Sequence, residues 1–325
     1  MLVAYGEEKP SPSSQRTLSA AAIPTSRSLK HGRLALVLAW SAFGCGKLPQ
    51  GETNANAAAV DAAVAGDAST AAVGPLTAEG GVIDSDAGGE GGATVFSCVS
   101  SGDGGAMVSV PAGDFMMGCA PGDTQCRPDE LPQHVVTLSA FQIDATEVTQ
   151  DQYAGCVQAG VCQPPLCAWD CTKANYPAAC IEWSQAKAFC AWAGKRLPTE
   201  AEWEKAARGT DQRIYPWGND APDCMHANIA GCGSQPEPVG MLEAGVSPYG
   251  AYDMQGNVVE MVADWYDPDY YATSPQDDPA GPDGGTTYVG RGGGYMSAPI
   301  WQRNSSRDWY NLTDQSAPLG FRCAR

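Results

Sequence analysis

Three histidines, six phenylalanines and 19 basic residues against 37 acidic ones leave this 325-residue chain short of several chemistries. So few histidines limit the metal centres that imidazole could build. A net charge of −18 with no basic block repels phosphate backbones, so nucleic acid is not an expected partner. No apolar run approaches the ~20 residues of a membrane-spanning helix. There is no internal repeat, and no cysteine stands between Cys232 and Cys323. What is abundant is glycine (38), proline (24) and cysteine (13), which predicts a loop-rich chain rather than a helical bundle.

Charge and cysteines are unevenly placed. Residues 1–45 carry a net charge of +3, residues 46–97 carry −6, and residues 98–325 carry −15. Arg27, Lys30 and Arg33 precede the apolar run Leu34–Phe43, the pattern of a secretory signal. The ending Ala42-Phe43-Gly44-Cys45 resembles a bacterial lipobox, which would make Cys45 a lipid anchor; ordinary export with a free Cys45 is the alternative. Residues 46–95 are almost wholly Ala, Gly, Asp, Ser, Thr, Glu and Val. They offer little to offset ordering entropy, so an acidic disordered linker is expected there. The chain thus divides into a leader (1–45), a linker (46–95) and a folded domain (96–325). It is expected outside the cytoplasm, on the outer membrane, in the periplasm or at the cell surface, touching membrane only through a lipid.

Within the folded part, Met107–Val110, Phe115–Met117 and His134–Leu138 read as short strands. Thr149 with Gln152, and Thr199 with Glu202, are capping boxes that open two helices. Ser184 is the expected cap of a third, Gln185–Ala193, closed by Gly194. Twelve cysteines lie between Cys98 and Cys323, and an even set in an exported chain reads as a disulfide framework. The spacings of Cys156, Cys162, Cys167, Cys171 and Cys180 suit crosslinked loops better than a tetrahedral zinc knot.

Seven strings then occur in order: Met107–Gly118, His134–Leu138 with Phe141–Thr149, Ala193–Glu204, Tyr215–Gly218, Gly256–Glu260, Arg291–Gly294 and Gly320–Cys323. Together they resemble the formylglycine-generating enzyme family, the sulfatase-modifying factor domain. The resemblance implies an α+β fold with little regular secondary structure, related to C-type lectins and here disulfide-rich. It implies a bridge between Cys190 and Cys323. Enzymes of that family oxidise a sulfatase cysteine using two copper-binding cysteines. The matching positions here hold Ser297 and Gln302, and a serine hydroxyl is a poor ligand for monovalent copper. No catalytic residue is therefore assigned, and copper is not an expected cofactor. A binding or scaffold module for a peptide, protein or carbohydrate is the expected function. The alternative is an oxidoreductase, acting on sulfatase cysteines or performing a related oxidation in the same cleft.

The resemblance also implies calcium, held by Asp253, the carbonyls of Gly256 and Val258, and Glu260, with a second, incomplete set beginning at Asn228 and Ile229. Calcium takes six to eight hard oxygens, and a glycine turn lets carbonyls converge between carboxylates. Two solvated acids on a turn are the plain alternative. Arg291, Arg303 and Arg307, with Trp301 and Trp309, crowd the vacated segment. They are candidates for a ligand cleft; pairing of the arginines with internal acids is the competing reading. The remaining tryptophans are expected in the core.

Overall fold

The computed structural model describes residues 105–325 apart from Ala168 and Ala317. The expected leader with Cys45 and the acidic linker lie outside the described residues.

Alternating apolar residues build the first two hairpin-like pairs. Strand β1 (Met107–Val110) pairs antiparallel with β4 (Phe141–Asp144), and β2 (Gly113–Met117) with β3 (His134–Leu138). Phe115, Met117, Val136 and Leu138 point to one buried face, as the period of two demands. Later come β5 (Val259–Trp265), β6 (Thr287–Arg291), β7 (Asp308–Asn311) and β8 (Leu319–Phe321). They form a four-stranded sheet in the order β7-β6-β5-β8, with β8 parallel to β5. At the free edge, the amides of Trp309 and Asn311 donate to the carboxylates of Asp308 (2.9 Å) and Asp314 (2.8 Å). Occupied amides blunt that edge against pairing with another strand.

Three helices supply the rest of the frame. Helix α1 (Gln150–Gln158) opens on the Thr149–Gln152 capping box, and α3 (Glu200–Arg208) on the Thr199–Glu202 box; in both, the reciprocal bonds are present. Helix α2 runs Trp183–Trp192, starting two residues and ending one residue earlier than the sequence suggests. Its cap is Glu182, without a side-chain cap bond, and Ser184 instead donates its hydroxyl to Glu182 at 3.3 Å. All nine residues of α3 are buried, five of them charged. That helix packs against β2, β3, β5 and β6.

Five disulfides with both cysteines among the described residues staple these elements: Cys119–Cys126, Cys156–Cys162, Cys167–Cys180, Cys190–Cys323 and Cys224–Cys232. Cys190–Cys323 ties α2 to the segment after β8 across 133 residues, with both cysteines fully buried.

Candidate functional site

The segment that follows β6 is built on glycine. Gly292 and Gly293 have φ of 84° and 64°, and a Cβ there would lie 2.8 Å from the Met254 carbonyl oxygen or 2.7 Å from Gln302 Nε2. The chain then turns: the Ser297 amide donates to the Gly294 carbonyl at 2.8 Å, and the Gly294 amide to Ser297 Oγ at 3.0 Å. A single 3-10 turn, Pro299–Gln302, follows. Ser297, Ser306, Asp308 and Trp301 line a cavity of about 10 Å³, room for about one water molecule. Behind it, Gln302 is completely buried, and neither end of its carboxamide has a partner among the described residues. On the outside of the same segment Met296 (60%), Trp309 (51%) and Ile300 are exposed.

The arginines do not line this surface. Arg291, Arg303 and Arg307 are 1%, 1% and 0% exposed. Arg307 forks onto Glu200 at 2.7 and 3.0 Å; Arg291 reaches Glu204 at 2.6 Å and Glu200 at 3.2 Å; Arg303 holds Glu130 and Asp123. The ligand-cleft assignment of these three is therefore corrected. Helix α3 turns Glu200 and Glu204 inward, and buried carboxylates require buried cations. Burial pushes the Glu200 carboxyl up, but Arg307 and Arg291 more than reverse this and hold it below its usual range. Of the proposed cleft residues, the tryptophans alone reach the surface: Trp309 is open, and Trp301 is half-buried with Arg127 stacked over it at 4.5 Å.

Asp264 closes the acidic end of this network. It is buried, accepts from the Glu200 amide at 2.8 Å, and is pushed up to about 8, first by burial and then by the Glu200 charge. An aspartate that folds with a raised pKa contributes stability that is complete below its unfolded value, roughly 4, and lost as pH climbs to about 8. Asp264→Asn removes that loss. We expect the variant to be more stable than the parent at pH 8.5 by about 2 kcal/mol or more, with a flatter profile between pH 5 and 8. Urea midpoints at several pH values check this; parallel profiles for the two proteins would contradict it.

The turn Asp253–Glu260 has the left-handed residues a tight carbonyl-converging loop needs: Asp253 (φ 53°), Gly256 (φ 80°) and Asn257 (φ 57°). A Cβ on Gly256 would lie 2.5 Å from the Asn228 carbonyl oxygen. Asp253 accepts from the Gly240 amide at 2.6 Å and interacts with Glu147, whose Oε2 is buried without a donor among the described residues. Burial, and then the Asp253 charge, raise Glu147 well above its usual range. This pair of hard oxygens fits a cation. Glu260 does not fit as a free ligand: both its oxygens accept from Arg322 (2.6 and 2.7 Å), and one also accepts from the Trp203 indole at 2.8 Å. Val258 and Ile229 are buried, and Asn228 Oδ1 is buried without a partner among the described residues. Glu147 sits inside a string that marks the fold, but no local pattern singles it out. Its partners are more than 100 residues away.

His134 packs edge-on to Tyr271, whereas His226 stacks on Trp217 and pairs with Asp223. Each histidine is thus held in its own surroundings.

A family model for the sulfatase-modifying factor enzyme 1-like domain matches residues 94–325. The formylglycine-generating enzyme of Streptomyces coelicolor is 33% identical over 279 residues, covering 67% of this chain and 88% of that protein. A serine/threonine-protein kinase, pkn1 of Chlamydia caviae, is 32% identical over 241 residues, covering 67% of this chain and 38% of the kinase. Among solved structures, PvdO from Pseudomonas aeruginosa superimposes with a TM-score of 0.61 at 30% identity, covering 69% of this chain and 95% of that one.

Proposed function

This chain belongs to the sulfatase-modifying factor enzyme 1-like domain family, and from that premise we propose that it is a binding module rather than an oxidase. One observation carries the reading. Ser297 and Gln302 stand where the family's copper-binding cysteines are expected, and all eleven cysteines among the described residues are in disulfides. No described thiol is left to bind monovalent copper.

The binding surface in this reading is the outer face of the 296–309 segment, where Met296, Ile300 and Trp309 are exposed around half-buried Trp301. Exposed apolar side chains gathered on one short segment mark an interaction site more often than scattered ones do. With Arg291, Arg303 and Arg307 buried, and Asp308 with the hydroxyls of Ser297 and Ser306 beneath, the surface suits a neutral peptide or carbohydrate better than an anion. The test is a screen of the purified chain on peptide and glycan arrays, repeated with Trp309→Ala. We expect a binder weakened about tenfold or more by the substitution, as for a central aromatic anchor. Binding unaffected by Trp309→Ala, or no binder on either array, would end this reading.

Calcium in the same reading is structural. Asp253 and the carbonyls of Gly256 and Val258 would hold it, with Glu147 as the second carboxylate since Glu260 is engaged by Arg322. Such an ion stabilises only the folded state. A chelator should lower the thermal midpoint by several degrees, on the order of a 1–2 kcal/mol loss. An unchanged midpoint would remove calcium from the account.

The five disulfides point to an oxidising environment outside the cytoplasm. A lipid on Cys45 would place the domain at a membrane surface on its acidic linker; intact mass of the mature protein tests this.

A further inference from the structure

Two disulfide-closed loops grip the Ser297–Arg303 stretch, and both open onto solvent. In the first, Cys119–Cys126, the Cys126 end is exposed. This loop carries Asp123, which accepts from Arg303 at 2.9 Å. Just past the bridge, Arg127 lies over Trp301 and donates to the Arg307 carbonyl at 2.7 Å. In the second, Cys224–Cys232, Cys224 is exposed. This loop carries Ala230, whose amide donates to the Ser297 carbonyl at 3.2 Å. By contrast, both cysteines of Cys190–Cys323 are 0% exposed, and those of Cys156–Cys162 are 0% and 4%. Thiol–disulfide exchange requires a thiolate to reach a sulfur directly, so accessibility separates these bridges.

We propose that Cys119–Cys126 and Cys224–Cys232 form a reducible clasp over the 296–309 surface. A dithiol, free or on a thiol–disulfide oxidoreductase, opens the clasp and loosens that surface without unfolding the domain. This rests on reading 296–309 as the ligand-facing surface. In each event the dithiol gives two electrons and two protons to one bridge: the protein S–S bond breaks to two thiols, and the dithiol closes to its own disulfide. The loosening stays local because Arg303 keeps the buried Glu130, bonded at 2.6 Å, when Asp123 leaves. The interior cation is not stranded, and α3 and its ion pairs are untouched. Segments whose contacts are few and solvent-reachable open well below the global unfolding free energy.

The test uses the intact chain in native buffer without ligand. Dithiothreitol is titrated, free thiols are trapped with iodoacetamide, and labelled cysteines are mapped by mass spectrometry beside amide hydrogen exchange. Cys119, Cys126, Cys224 and Cys232 should label at a dithiol concentration about tenfold below that needed for Cys190 and Cys323. At that point, exchange over 296–303 should rise about tenfold while α3 is unchanged. Asp123→Asn, which keeps every bridge, should raise exchange near Arg303 without any thiol labelling. Labelling of the buried bridge together with the exposed ones, or unchanged exchange over 296–303, would overturn the clasp. Exchange is read without ligand, so a clasp that opens on a chain with no array binder fails the binding reading alone. A binder on a chain whose exchange does not respond fails the clasp alone.

Discussion

Arg307→Met should destabilise the domain by about 3–5 kcal/mol, the range for removing one partner of a buried ion pair. The guanidinium is completely buried, forks onto Glu200, donates to the carbonyls of Asp129 and Asp267, and lies over Tyr271 at 4.3 Å. Burial alone would weaken its charge, but Glu200 and Tyr271 hold its pKa above the usual arginine value. Methionine fills part of the volume and supplies none of the donors, so Glu200 is left with Arg291 alone among its cationic partners. Denaturant midpoints measure the loss. Adding Glu200→Gln to Arg307→Met should recover part of it, because the stranded charge is gone; a coupling energy of about 1–3 kcal/mol is expected for residues in one network. A single variant within about 0.5 kcal/mol of the parent, the usual range for surface changes, would mean that the buried pair is not the centre of the fold.

The second large effect belongs to Cys190–Cys323. A bridge acts in large part by restricting the unfolded chain, and a loop of 133 residues corresponds to about 5 kcal/mol in the chain-entropy treatment. Replacing both cysteines by alanine should lower stability by about 4–5 kcal/mol. Helix α2 and the segment after β8 should loosen from each other, while the backbone amide of residue 323 keeps its bond to Asp144 of β4, 2.9 Å in the parent. The double variant of Cys156–Cys162, whose loop spans only 6 residues, should lose clearly less. Equal losses would show that native-state packing, not loop closure, governs these bridges.

The capping boxes at Thr149 and Thr199 were legible because they depend on residues three apart, and the early strands because alternation is local. Ser184 was not a cap, since Glu182 takes the cap position and the helix begins at Trp183. Of the two readings open for the arginines, the structure bears out pairing with internal acids, and the sequence leaves that choice open for a reason of the same kind. Glu200, Glu204 and Arg208 look like the polar face of a surface helix, and only packing of α3 against β2, β3, β5 and β6 shows that every face is covered. The counter-ions of Glu200 come from 91 and 107 residues further along and that of Glu204 from 87, distances no periodicity reports. Glu147 and Asp253 meet in the same non-local way. Ser297 and Gln302, at the places where the family resemblance leads one to expect cysteines, are readable because identity at a fixed place in a motif needs no geometry. The burial of the Gln302 carboxamide without a partner among the described residues, and the two disulfide-closed loops that touch the segment, needed the fold.

The proposed binding role requires that the chain carry out no copper-dependent cysteine oxidation. The most direct measurement is incubation of the purified chain with copper, oxygen and a Cys-x-Pro-x-Arg peptide, followed by peptide mass. The peptide should stay unmodified at every copper concentration, with the Streptomyces coelicolor relative run alongside. Copper- and oxygen-dependent conversion of the peptide cysteine to an aldehyde by this chain would contradict that role.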